Sequence, residues 1–197
     1  MTTTRMEAFS DGVLAIIITI MVLELKVPHK GVTLKALQPL IPVFLSYVLS
    51  FIYVGIYWNN HHHLLHAVKH INGRVLWCNL HLLFWLSLIP FITSWVGEHY
   101  TDVYPIALYG FVLMMAGIAY YFLVISLLRV EGQDSAIAKS IGNDFKGKIS
   151  VVFYIIGIAL SFVNTWISVA CYVVVACIWF IPDKRIENNM EHYEPPA

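Results

Sequence analysis

Long apolar runs separated by short polar connectors dominate the chain. A segment of about 20 apolar residues spans a bilayer core, and the runs predict six helices, at about 9–26, 40–60, 75–96, 104–128, 149–163 and 166–181. The first is short by hydropathy, with an uninterrupted apolar stretch only from Gly12 to Leu23. The last two abut at Asn164-Thr165-Trp166. A single helix over 149–181 would measure about 50 Å at 1.5 Å per residue, more than a bilayer holds, so two spans and a tight turn are expected. The connectors are brief, at 27–39, 61–74, 97–103 and 129–148. The expected organisation is one six-span transmembrane domain over 1–182 and a short polar tail over 183–197. The fold class is all-α and polytopic.

Composition agrees. The chain is 59% apolar and 12% charged, where a soluble domain carries about 25% charged residues. Net charge is zero, which gives no signal for nucleic acid. Cys78, Cys171 and Cys177 all lie in apolar segments and form neither a disulfide framework nor a C-x-x-C metal pair. No cleavable signal peptide and no nucleotide-binding glycine motif is expected. With six spans both termini share one side, which receives nine Lys/Arg residues (Arg5, Lys69, Arg74, Arg129, Lys139, Lys146, Lys148, Lys184 and Arg185). The other side receives only Lys26, Lys30 and Lys35, so the termini are expected in the cytoplasm. Trp58, Trp77, Trp95, Trp166 and Trp179 fall near span ends, as an interfacial aromatic belt requires.

The first helix carries the unusual chemistry, since Arg5, Ser10 and Asp11 stand at the mouth of its apolar run. An ionisable group near membrane depth is costly without a partner or water. At 100° per residue, Gly12, Ile16, Thr19, Ile20, Leu23 and Val27 share one side, while Asp11 points to the back. The stripe has a plain reading as a packing surface, with Thr19 bonding the carbonyl of Ala15. Ser10 or Asp11 also reads as a helix N-cap, with Arg5 in reach of a carboxylate. A back-facing Asp11 calls for polar partners; the end of the second span offers Trp58, Asn59, Asn60, His61, His62 and His63, and the third offers Asn79 and His81. Glu24, at the far end, is expected to pair with Lys26 or be solvated.

His62, His66 and His70 recur at i, i+4 and i+8 on one helix face. Two histidines at i, i+4 can chelate a transition metal, but no Cys or Glu joins them at matching spacing. No resident metal is expected, and these histidines read as interface residues with some pH sensitivity.

The segment Arg5-x-x-x-Phe9-Ser10-Asp11-Gly12 at the start of an apolar helix resembles the transmembrane protein 175 family of potassium channels. Trp58 with the histidine cluster after the second span, Asn79-Leu80 and Pro90-Phe91 agree, and the resemblance covers essentially the whole chain as one bacterial six-span repeat. It implies a homotetramer in the bacterial inner membrane, with the first helix of each copy lining a central pore. It implies an apolar constriction at Ile16, further narrow layers at Ile20 and Leu23, and a hydroxyl at Thr19 that favours potassium. Arg5, Phe9, Ser10, Asp11, Trp58, Asn79 and His81 become a structural network that anchors the pore helix.

The chain lacks the carbonyl-lined filter loop of other potassium channels and an arginine-rich voltage sensor. Passive conduction with modest preference for potassium is therefore expected, with potassium as permeant ion and no cofactor. A proton-coupled transporter relaying through Asp11 and the histidines is the alternative, although transporters of that kind use broken helices at mid-membrane. No nucleophile motif stands beside Asp11 or His81, so no enzyme is expected.

Overall fold

In the computed structural model, residues 3–28, 33–68, 70–132 and 145–180 are described. Every regular element among them is a helix. Helix α1 covers Thr3–Leu23 and a short 3-10 turn covers Leu34–Leu40. Helix α2 covers Ile41–His66, α3 Gly73–Ser87, α4 Ile89–Glu98 and α5 Val103–Glu131. Helices α6 (Phe145–Ser161) and α7 (Thr165–Phe180) form the closing hairpin. The polar tail 183–197 and most of the 129–148 connector lie outside the described residues.

Among the described residues, four stretches are long and apolar enough to cross a membrane: α1, Leu34–His66, Gly73–Glu98 and α5. Helices α6 and α7 have 17 and 16 residues, roughly 24–26 Å at 1.5 Å per residue. The turn between them is as expected: Asn164 Oδ1 accepts from the Trp166 and Ile167 amides at 3.0 and 3.4 Å, satisfying free donors at the start of α7. The chain is a multi-pass membrane protein.

Three boundaries differ most from the pattern. Helix α1 begins at Thr3 rather than near residue 9, because its first two turns are polar and hydropathy does not register them. Helix α2 continues through His66, so His61, His62 and His63 are helical rather than part of a connector. The third span is two stacked helices meeting at Leu88. Pro90 lies in the first turn of α4, where it has no N–H to extend the α3 ladder.

Buried polar pairs hold the bundle at mid-depth. Thr93 Oγ1 donates to Ser50 Oγ at 2.7 Å, and Ser50 Oγ lies 2.9 Å from Tyr109 Oη, joining α4, α2 and α5. Tyr53 Oη donates to the Tyr172 carbonyl at 2.6 Å, and Tyr172 Oη to the Ile106 carbonyl at 3.2 Å. With no water at this depth, such groups must find partners within the protein. Helix α1 packs against α2, α3 and α4, and α5, α6 and α7 form the other side of the bundle.

Candidate functional site

Helix α1 has two unlike faces. Met6, Ser10, Leu14, Ile17 and Met21, at steps of three and four residues, are buried against the bundle. The opposite stripe of Gly12, Ile16, Thr19, Ile20 and Leu23 is exposed in the single chain. The contrast is sharp: Leu14 and Ile17 are 2% and 3% exposed, against 58% for Ile16, 45% for Ile20 and 74% for Leu23. The stripe carries no charge. Thr19 Oγ1 donates to the Ile16 carbonyl at 2.9 Å, one residue nearer than the expected Ala15. Its proton is thereby committed to its own helix and its lone pairs are left outward.

Ser10 and Asp11 lie in the second and third turns of α1, so neither caps the helix. Ser10 is fully buried and donates to the Met6 carbonyl at 2.8 Å. Asn79 Nδ2 donates to Ser10 Oγ at 2.9 Å, and Asn79 Oδ1 lies 2.8 Å from His61 Nε2. Donor bookkeeping then assigns the ring: a carbonyl oxygen only accepts, so His61 Nε2 carries a proton. His61 Nδ1 is buried with no partner among the described residues, as suits the neutral tautomer with Nδ1 unprotonated. Asp11 takes a separate partner, with Trp58 Nε1 donating to its Oδ1 at 3.1 Å. Ser10 and Asp11 thus bind α1 by two polar contacts, one to α3 and through it α2, the other to α2 directly.

The remaining residues of the anticipated network stand apart. His81 accepts from Trp85 Nε1 at 3.0 Å within α3 and does not touch Ser10 or Asp11, being two residues past Asn79 and so on another face. Arg5 and Phe9 are exposed, because steps of eleven and seven residues back from Ile16 return to the open stripe. Glu24 accepts from Ser94 Oγ at 3.0 Å rather than pairing with Lys26. His70 lies beyond the end of α2 and leaves the histidine face; its backbone amide donates to Glu131 Oε1 at 2.8 Å.

Glu7 was not anticipated. Its Oε1 lies 3.0 Å from His62 Nδ1, and one ligand atom each from Glu7, His62 and His66 lies within 4.8 Å of the others. The signal was present, since Glu7 precedes Asp11 by four residues and shares its side of the helix. His61, already among the candidate polar partners, continues the buried register Tyr53, Val54, Leu64 and Leu65 of α2.

The family profile described as "Endosomal/lysosomal potassium channel TMEM175" matches residues 5–90. A potassium channel of Chryseobacterium sp. (strain P1-3) is 56% identical over 97% of this chain and 99% of its own length. A potassium channel of Chamaesiphon minutus is 32% identical over 87% of this chain and 90% of its own. The crystal structure of a lysosomal potassium-selective channel TMEM175 homolog from Chamaesiphon minutus aligns with a TM-score of 0.78 and 28% identity, covering 90% of this chain and 96% of that one.

Proposed function

The chain belongs to the TMEM175 potassium-channel family, and from that premise we propose that it conducts potassium passively through a central pore lined by α1 in a homotetramer. The observation that carries the reading is the uncharged stripe on α1, left open on a helix whose opposite face is sealed into the bundle. Since α1 packs mainly on α2, α3 and α4 through its buried face, its stripe is free to meet the same stripe of other copies around an axis.

Each stripe residue then has a physical role. Rings of Ile16, Ile20 and Leu23 form apolar constrictions that close the pore by contact and by dewetting. A ring of Thr19 hydroxyls, their protons held by the Ile16 carbonyls, turns oxygen lone pairs toward the ion and replaces part of its water shell. Potassium sheds water more cheaply than sodium, so it is preferred, but modestly, because no rigid cage of carbonyls enforces size. The termini are placed in the cytoplasm of a bacterial inner membrane, an orientation supported by the excess of Lys and Arg on their side. The C-terminal ends of α1, negative by the helix dipole, then face the external mouth and favour cations.

The test is flux from potassium-loaded liposomes under a potassium gradient. Wild type should release potassium without any proton gradient, and strict dependence on a proton gradient would overturn the channel reading in favour of a coupled transporter. Ile16→Asn should wet the constriction and raise the basal flux. Thr19→Ala should bring the potassium and sodium fluxes closer together. An unchanged flux in the first variant, or an unchanged ratio in the second, removes that residue from the role assigned to it.

A further inference from the structure

Conduction leaves unused a cluster where the N-terminal turns of α1 meet the C-terminal end of α2. His62 and His66 stand one turn apart on α2, with ring centroids 4.5 Å apart and ring planes at 70°. Glu7 reaches them from α1, its Oε1 3.0 Å from His62 Nδ1. One nitrogen from each histidine and one carboxylate oxygen all lie within 4.8 Å of one another. Tetrahedral ligands at about 2.0–2.1 Å from an ion sit about 3.4 Å apart, so the Glu7–His62 pair already stands near that spacing. Side-chain rotation of His66, which is exposed, supplies the remaining closure.

The donor set decides which ion fits. Two imidazoles and one carboxylate suit zinc and its neighbours in the transition series, whereas magnesium and calcium prefer all-oxygen sites. The open side of His66 leaves a fourth position for water. Trp58 stacks on His62 with centroids 6.0 Å apart and planes at 20°, and Trp58 is itself held by Asp11. That second layer fixes the ring plane of a ligand, as metal sites require.

We infer that Glu7, His62 and His66 form a binding site for a divalent transition-metal ion of the zinc class, which staples α1 to α2. None of the three lies on the Ile16 stripe, so the site stands independently of the pore reading.

The experiment uses the full chain in lipid nanodiscs, stripped with a chelator and titrated calorimetrically with zinc at neutral pH. One saturable zinc per chain is expected, together with a zinc-dependent rise in the unfolding midpoint. Loss of a second-layer partner alone costs about 10–100-fold in metal affinity, so Glu7→Gln and His66→Gln should each weaken binding at least about tenfold. His70→Gln, outside the cluster, should bind like wild type. Absence of saturable binding overturns the proposal. So does wild-type affinity in Glu7→Gln, which would mean that an exposed histidine pair binds zinc without joining the helices. Equal weakening by His70→Gln overturns it as well, by moving the site elsewhere.

Discussion

Ser10 and Asp11 are neighbours in the chain, yet they do separate jobs because a helix turns 100° between them. Ser10 faces inward and completes a line of hydrogen bonds through Asn79 to His61. Removing it strands the Asn79 amide in a buried position, and an unsatisfied buried donor costs about 1–3 kcal/mol. Ser10→Ala should therefore lower the unfolding midpoint in detergent by that order, and Asn79→Ala at least as much, since it leaves buried His61 Nε2 unpaired and takes from Ser10 Oγ the donor it accepts from. Asp11 is half-buried and accepts a single bond from Trp58. Asp11→Asn keeps an oxygen for that indole and should cost less than Ser10→Ala; a larger loss in the same unfolding experiment would mean that the charge itself, rather than the acceptor, holds α1. At the level of single residues the sequence grouped Ser10, Asp11, Trp58 and Asn79 with others but could not assign pairings. Trp58, Asn79 and His81 were equivalent as polar partners until helix phase and crossing angle brought two of them to α1 and turned the third toward Trp85.

Helices pack where side chains allow close approach, and the α5–α6–α7 group shows this at Tyr172. The ring is fully buried, and a methyl placed on Gly110 would strike its hydroxyl, while one on Gly157 would stand 2.5 Å from its ring edge. Small residues at such crossings are what bring membrane helices together. Gly110→Ala and Gly157→Ala should each destabilise the subunit by about 1–3 kcal/mol, the usual cost of overpacking a filled core. Gly55→Ala, where nothing lies within 4 Å of the added carbon, should leave the unfolding midpoint unchanged or slightly raised. If all three variants behave alike, the Tyr172 crossing is not tightly packed. Helix existence and order were readable from apolar periodicity, and so was the Asn164 turn. Helix ends were not, because hydropathy marks where a chain can enter lipid while backbone hydrogen bonding carries α1 and α2 several residues into water.

For the whole molecule the decisive fact is that α1 leaves an apolar stripe uncovered on the bundle of the single chain. A pore of α1 helices brings the Ile16 side chains of different copies together at an axis, whereas lipid contact would keep them apart. After replacement of Cys78, Cys171 and Cys177, oxidation of Ile16→Cys should yield covalently linked copies in the membrane, and Ile17→Cys, buried within its own subunit, should not. No linkage at Ile16→Cys, or equal linkage at both positions, would remove the axis from α1. Native mass spectrometry of the detergent-solubilised chain should in turn report a tetramer.

Apolar content and spacing were enough to establish a multi-pass helical membrane protein and to identify the stripe on α1, because both depend only on composition and on the fixed periodicity of a helix. The motif from Arg5 to Gly12 likewise pointed to the family without coordinates. Which side of α1 is sealed, that Glu7 meets His62 across 55 positions of chain, and that His70 and His81 fall outside the groups they resemble in spacing were decided by the packing of α1 on α2 and α3. Contacts between helices depend on crossing angles and on where each helix ends, and neither is encoded in local periodicity.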